Sequence, residues 1–188
     1  MLFRSDGDYI SDIAREYDVE VYRRKESSKD LQAAAEDMLN YIYYHERILP
    51  EAVIFLFATS PFREPDLIDK CVAAWRNNDD INTVFTVTQN WNWYASGHIN
   101  NNNFEFLSEL NENRKKQTQD NKFIYQRVGS VYVCSVHKEW IKNNHLYLPE
   151  DFYLNKNIKA IEQHAPYSID IDDIYELEFA RKICHLFM

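Results

Sequence analysis

Two short stretches constrain the fold of this chain most. Ala52-Val53-Ile54-Phe55-Leu56-Phe57 is apolar at every position, and Thr83-Val84-Phe85-Thr86-Val87-Thr88 is dense in β-branched residues. A strand that alternates can leave one face in water. A strand apolar throughout must be covered on both faces, as in a parallel sheet between helices. Between the two, Pro65 and Asp66 suit the first turn of a helix that reaches about Trp75-Arg76, and Asn77-Asn78-Asp79-Asp80 breaks it. Strand, helix and strand in that order predict an α/β fold with a mainly parallel sheet sandwiched by helices.

The flanking segments extend the pattern. Residues 8–17 carry apolar groups at helical spacing, and Val19-Glu20-Val21-Tyr22 alternates like a short strand. Ser27-Ser28-Lys29-Asp30 offers N-caps for a helix from Leu31 to about Leu49, beyond which Pro50 cannot continue it. Ser130–Ser135 reads as a third strong strand and Tyr167–Asp172 as a fourth, ahead of a last helix from about Ile174 to Leu186. Residues 89–122 are polar and irregular, which predicts a long functional loop or covering insertion. No repeat or linker divides the chain, so 1–188 is expected to form a single domain. Leu2-Phe3 is too short for a whole strand. The chain is therefore expected to open almost directly on a helix, where a doubly wound domain begins with a strand and a phosphate-facing loop.

Composition then excludes several classes. The net charge of −9 leaves no basic stripe for nucleic acid. Only 3 glycines leave little room for Gly-rich phosphate loops, so an anionic ligand would need local cations or a metal ion. No apolar run approaches the ~20 residues that cross a bilayer, and the first residues lack the apolar core of a signal peptide. Cys71, Cys134 and Cys184 are odd in number and far apart, which points to a reducing compartment, the cytoplasm.

Three constellations could carry chemistry. In Asp170-Ile171-Asp172 the two acids stand at i and i+2, on one face if the segment is a strand. Such a pair suits Mg²⁺ beside phosphates; alternatively Asp172 or Asp173 caps the last helix. The loop Ala58-Thr59-Ser60-Pro61-Phe62-Arg63 follows a buried strand, at the edge where open α/β sheets bind ligands. Its hydroxyls and arginine could hold a polar ligand, or it is an ordinary Ser-Pro turn. Arg23-Arg24-Lys25 is a basic cluster that suits an oxyanion or a base carbonyl, or is a solvated strand end. No zinc-like spacing of the six histidines and no nucleophilic triad can be argued. Tyr41, Tyr43 and Tyr44 read as packing residues, whereas Trp91, Trp93 and Tyr94 read equally as pocket lining or core.

In order along the chain, these blocks resemble the cytidylyltransferases that make CMP-sialic acid and related CMP-sugar acids. The matching segments are Val19–Arg24 with Ser28-Lys29-Asp30, Ala58-Thr59-Ser60-Pro61, Gln119-Asp120 with Tyr125 and Gly129-Ser130-Val131-Tyr132, and Ser168-Ile169-Asp170-Ile171-Asp172. The last is the most specific. The resemblance implies a nucleotide-diphospho-sugar transferase, Rossmann-like fold. It implies CTP and a nonulosonate-type sugar acid as partners, Mg²⁺ as cofactor and a homodimer. It also implies Asp170 and Asp172 as metal ligands, Arg24, Asp30 and Ser60 at the nucleotide, and Gln119 and Thr59 at the substrate. No catalytic acid or base is singled out.

The chain also departs from that pattern. The family's opening strand and triphosphate-gripping loop have no counterpart here, and its Ser-Thr-Asp appears as Arg4-Ser5-Asp6. Phe57 stands for a glutamine, Thr118 for an arginine, Val128 for an asparagine and Ala34 for a serine near the base. Two expectations follow: an enzyme whose turnover by this chain alone is weak, or a non-catalytic domain that serves as a regulatory or assembly partner.

Overall fold

The computed structural model describes residues 2–5, 8–23, 31–90, 97–100, 103–106, 124–150, 152–154 and 157–187. In chain order its elements are β1 (Leu2–Ser5), α1 (Asp8–Glu16), β2 (Glu20–Arg23), α2 (Leu31–His45), β3 (Ala52–Phe55), α3 (Leu67–Arg76) and β4 (Thr83–Asn90). They continue with β5 (Gly97–Asn100), β6 (Asn103–Phe106), β7 (Ile124–Ser135), β8 (Ile141–Lys142), β9 (His145–Leu146), β10 (Ile158–Glu162) and α4 (Ile174–Ile183). These elements gather into two compact units, Met1–Ala52 with Val136–Phe152, and Val53–Ser135 with Tyr153–Met188.

In the first unit β1 and β2 pair in parallel, Leu2 opposite Glu20 through Ser5 opposite Arg23, with α1 between them in sequence. The Leu2-Phe3 stub is therefore part of a real strand, because Arg4 and Ser5 continue the ladder. Helix α1 turns its small residues Ser11 and Ala14 inward, and small side chains let a helix lie close to its strands. Helix α2 buries Ala35 and Leu39 and ends at His45, four residues short of the expected Leu49.

A polar stripe runs along α2 at every fourth residue, Gln32, Glu36, Asn40 and Tyr44. Tyr44 donates to the Asn144 carbonyl at 2.6 Å, and Asn40 both accepts from Leu146 N and donates to Leu146 O at 2.8 Å. Glu36 accepts from Leu148 N at 2.9 Å, and Gln32 donates to Leu148 O at 3.1 Å. The helix thereby satisfies the backbone of a segment that a neighbouring strand would otherwise pair. Asn143 and Asn144 take positive φ (50° and 61°), as the tight hairpin between β8 and β9 requires.

The second unit holds a four-stranded sheet in the order β10-β4-β7-β3. β10 runs parallel to β4, whereas β7 is antiparallel to it, so the sheet is mixed, with parallel pairs. Helix α3 lies on β4, β7 and β10 and buries Leu67 and Cys71. Trp75, one turn further along the same stripe, donates to Ser135 Oγ at 2.8 Å. Pro65 and Asp66 precede this helix rather than forming its first turn; Asp66 sits at φ 59° and its side chain makes no cap bond.

One expected strand is replaced by another. Residues 167–172 join no ladder: the carbonyl of Val87 accepts from Gln163 N, and beyond that the chain turns away at 165–168. The strand is instead β10, whose exposure alternates because it is the edge of the sheet. Within 89–122 the described residues continue β4 to Asn90 and form the antiparallel pair β5–β6. Trp91, Trp93 and Tyr94 lie outside the described residues. Among the described residues no helix is long and apolar enough to cross a membrane.

The cysteines follow burial. Desolvation pushes the Cys71 thiol up to about 11 and that of Cys134 up to about 12, whereas Cys184 is exposed. A thiolate-selective reagent at pH 8 is expected to modify one thiol in the native protein and the other two only after denaturation. Rapid modification of all three under native conditions would contradict this packing.

Candidate functional site

The site begins where β3 ends. The loop after it and the segment before α4 are joined by two bonds: Ile171 N donates to Thr59 O at 2.7 Å, and Ser60 Oγ donates to Asp170 Oδ1 at 3.1 Å. Ser60 is fully buried, so its hydroxyl holds the Asp170 carboxylate in one orientation. Thr59 is exposed and contributes its carbonyl. Gly129 of β7 makes this approach possible. A Cβ there would meet Ser60 Oγ at 3.0 Å and Phe57 at 3.4 Å.

Arg63 is committed to the fold rather than presented to a ligand. Its Nε donates to Ser130 O at 2.9 Å and its Nη2 to Phe57 O at 3.0 Å, and burial lowers its pKa. It ties the end of β3 to β7.

Asp170 and Asp172 line one open cleft of about 440 Å³, together with Gln126, Arg127, Ser168 and Phe179. They reach it from an irregular segment instead of from one face of a strand. The helix-capping role falls to their neighbour. Asp173 Oδ1 accepts from Tyr175 N and Glu176 N at 2.8 Å each, and Glu176 Oε2 accepts from Asp172 N and Asp173 N. This reciprocal cap leaves the Asp172 carboxylate outside the helix's own hydrogen bonding. A second cavity of about 420 Å³ shares Gln126 and Ser168 and adds Thr88, Gln89, Glu162 and His164. The His164 ring stands 3.8 Å from Glu162. The second cavity takes in Thr88 and Gln89 near the C-terminal end of β4 and Glu162 at that of β10, the edge where α/β sheets present ligand sites.

Among the described residues no three His, Cys, Asp or Glu side chains gather as a metal cage. Two carboxylates in a polar cleft fit Mg²⁺ in the way that ion is commonly held, by one or two carboxylates with the remaining oxygens from phosphate and water. The donor set therefore suits Mg²⁺ arriving with a phosphate ligand. Arg24, Asp30 and Gln119 lie outside the described residues. The sequence reading did not single out Gln126, Arg127, Glu162 or His164; a strand-end Gln-Arg in an acidic chain was the available signal for the first two.

No family model matches the sequence, and no curated protein matches it. The fold does have relatives among solved structures. The structure of CMP:2-keto-3-deoxy-manno-octonic acid synthetase complexed with CTP matches 100% of this chain and 81% of its own chain, with a TM-score of 0.63 and 13% identity. The α/β fold, with parallel strand pairs flanked by helices, is therefore similar to that of this synthetase.

Proposed function

We propose that this chain is a cytidylyltransferase-type protein. It would take CTP and a sialic acid-like sugar acid to the CMP-sugar acid and pyrophosphate, as a cytoplasmic homodimer with weak turnover by this chain alone. The supporting observation is the cleft in which Asp170, held by Ser60, and Asp172 stand together. The likeness of the fold to a synthetase complexed with CTP points the same way.

In this reading Asp170 and Asp172 would hold Mg²⁺, which when bound would supply charge stabilisation to the phosphates. Ser60 orients Asp170, and Thr59 O fixes the segment that carries both acids. The anomeric hydroxyl of the sugar acid forms a bond to the α-phosphorus as the bond to pyrophosphate breaks. Arg24 and Asp30 would serve the nucleotide, and Gln119 with Thr59 the sugar acid.

A second reading, a nucleotide-binding regulatory or assembly partner, draws on two apolar residues. Phe57 packs edge-on against Tyr132 at 5.4 Å between ring centroids, and Val128 is 3% exposed. Val128 fills core and Phe57 is half-buried where polar contacts to a ligand were expected. Calorimetry with CTP and Mg²⁺, run beside pyrophosphate release over a panel of sugar acids, separates the readings. The expected result is Mg²⁺-dependent CTP binding with slow release. Binding without release for any acid would favour the second reading, and no CTP binding would end both.

A further inference from the structure

The β4–β7 ladder is interrupted in a way that places one cation. Phe85 pairs with Tyr132 and Thr86 with Val128, so one step along β4 spans four along β7. Three residues, Gly129 to Val131, bulge out of register. In an unbroken strand Arg127 and Tyr132, five apart, would face opposite sides of the sheet. With the bulge, their partners Val87 and Phe85 are two apart, and Arg127 and Tyr132 share a face.

The consequence is visible in the contacts. The Arg127 guanidinium lies 5.7 Å from the Tyr132 ring centroid and 5.7 Å from that of Tyr153. The two rings meet edge to face at 6.5 Å. Both distances lie within cation–π range. Burial pushes the Tyr132 phenol up to about 12, so near pH 7 it remains a neutral ring beside the cation. Arg127 is exposed and lines the cleft of Asp170 and Asp172. Among the described residues its guanidinium forms no hydrogen bond or ion pair, and it is the one Arg or Lys lining either cavity. Rings that contact the flat guanidinium leave its N–H donors, which lie in the plane, directed outward.

We infer that Arg127, held by Tyr132 and Tyr153, receives an oxyanion of the ligand in this cleft, either the carboxylate of an acid substrate or a phosphate. The inference rests on the function proposed above only for the choice of probes. The metal pair and Arg127 then divide the work: the carboxylates need a cation brought with the ligand, and the guanidinium needs an anion.

The test is calorimetry on the full chain, comparing wild type with Arg127→Gln, Arg127→Lys and Tyr153→Leu. The probes are inorganic phosphate, CTP with Mg²⁺, N-acetylneuraminate and 2-keto-3-deoxy-manno-octonate. Arg127→Gln is expected to weaken one class of probe about 10-fold or more, the scale of losing hydrogen bonds to a charged group. Arg127→Lys should restore part of that loss, and Tyr153→Leu should weaken the same class less than Arg127→Gln. A loss confined to the sugar acids identifies the anion as a carboxylate; a loss confined to phosphate and CTP identifies a phosphate. Equal affinities for every probe in wild type and Arg127→Gln would overturn the inference, as would a wild type that binds none of them. Arg127-dependent binding of phosphate or a sugar acid without CTP turnover would leave the inference standing while the proposed reaction falls. Turnover whose KM for the acid and for CTP ignores Arg127 would do the reverse.

Discussion

Replacing Asp170 and Asp172 together by asparagine is expected to remove the Mg²⁺-dependent part of CTP binding, a loss of about 100-fold or more. Asparagine keeps the shape of each side chain, and its amide oxygen can still accept from Ser60 Oγ at position 170. What disappears is the negative charge that a hard divalent cation needs. The contrast is Asp173→Ala. That change removes the acceptor of two backbone N–H groups at the start of α4 and is expected to cost about 1 kcal/mol of stability without altering the Mg²⁺ dependence. Titrations of CTP with and without Mg²⁺, beside thermal melts, read both effects. Identical Mg²⁺ dependence in wild type and the double variant would remove the metal from this cleft.

Thr86→Val is expected to destabilise the protein by about 2–3 kcal/mol although it alters one buried group and barely changes volume. Thr86 is fully buried and sits at the point where the β4–β7 register breaks. Its hydroxyl donates to Val128 O at 3.0 Å and accepts from Val131 N at 3.2 Å, with Val131 O at 3.4 Å. These are backbone groups of Val128, just before the bulge, and of Val131, its last residue. Valine would leave them buried without that partner. Because the bulge brings Arg127 to the face of Tyr132, the same variant is expected to weaken oxyanion binding at Arg127. Urea unfolding gives the stability, and an unchanged midpoint would mean that the bulge is held by something other than this hydroxyl.

Much of the architecture was legible because burial leaves a mark on composition. The β-branched run at β4 lies buried in the middle of its sheet, whereas the apolar run at β3, expected to be covered on both faces, forms an edge strand with Ile54 exposed; apolar spacing marked α1, and start and stop residues marked α2 and α3. β10 carries Lys159 and exposed positions, so its pattern did not stand out, whereas Ile169 and Ile171 imitate strand alternation in a segment that joins no ladder and is tied through Ile171 N to Thr59 O. The antiparallel course of β7 was invisible for a related reason: a buried strand is apolar whichever way it runs.

The candidate site shows the same division. Ser168-Ile169-Asp170-Ile171-Asp172 announced itself by residue order, since two acids flanking an isoleucine are a local arrangement. Which acid caps the helix was not local; Asp173 does so because α4 starts at Ile174 and Glu176 completes the reciprocal bonds. Nor could order reveal that Arg63 binds backbone carbonyls or that Ser60 is spent on Asp170, 110 residues away. Local chemistry and burial are written in the chain itself, because each residue carries its own polarity and its own backbone preference. Strand direction, the three-residue bulge and the meeting of Arg127 with two tyrosine rings arise only when distant segments pair, and only the tertiary structure decided them.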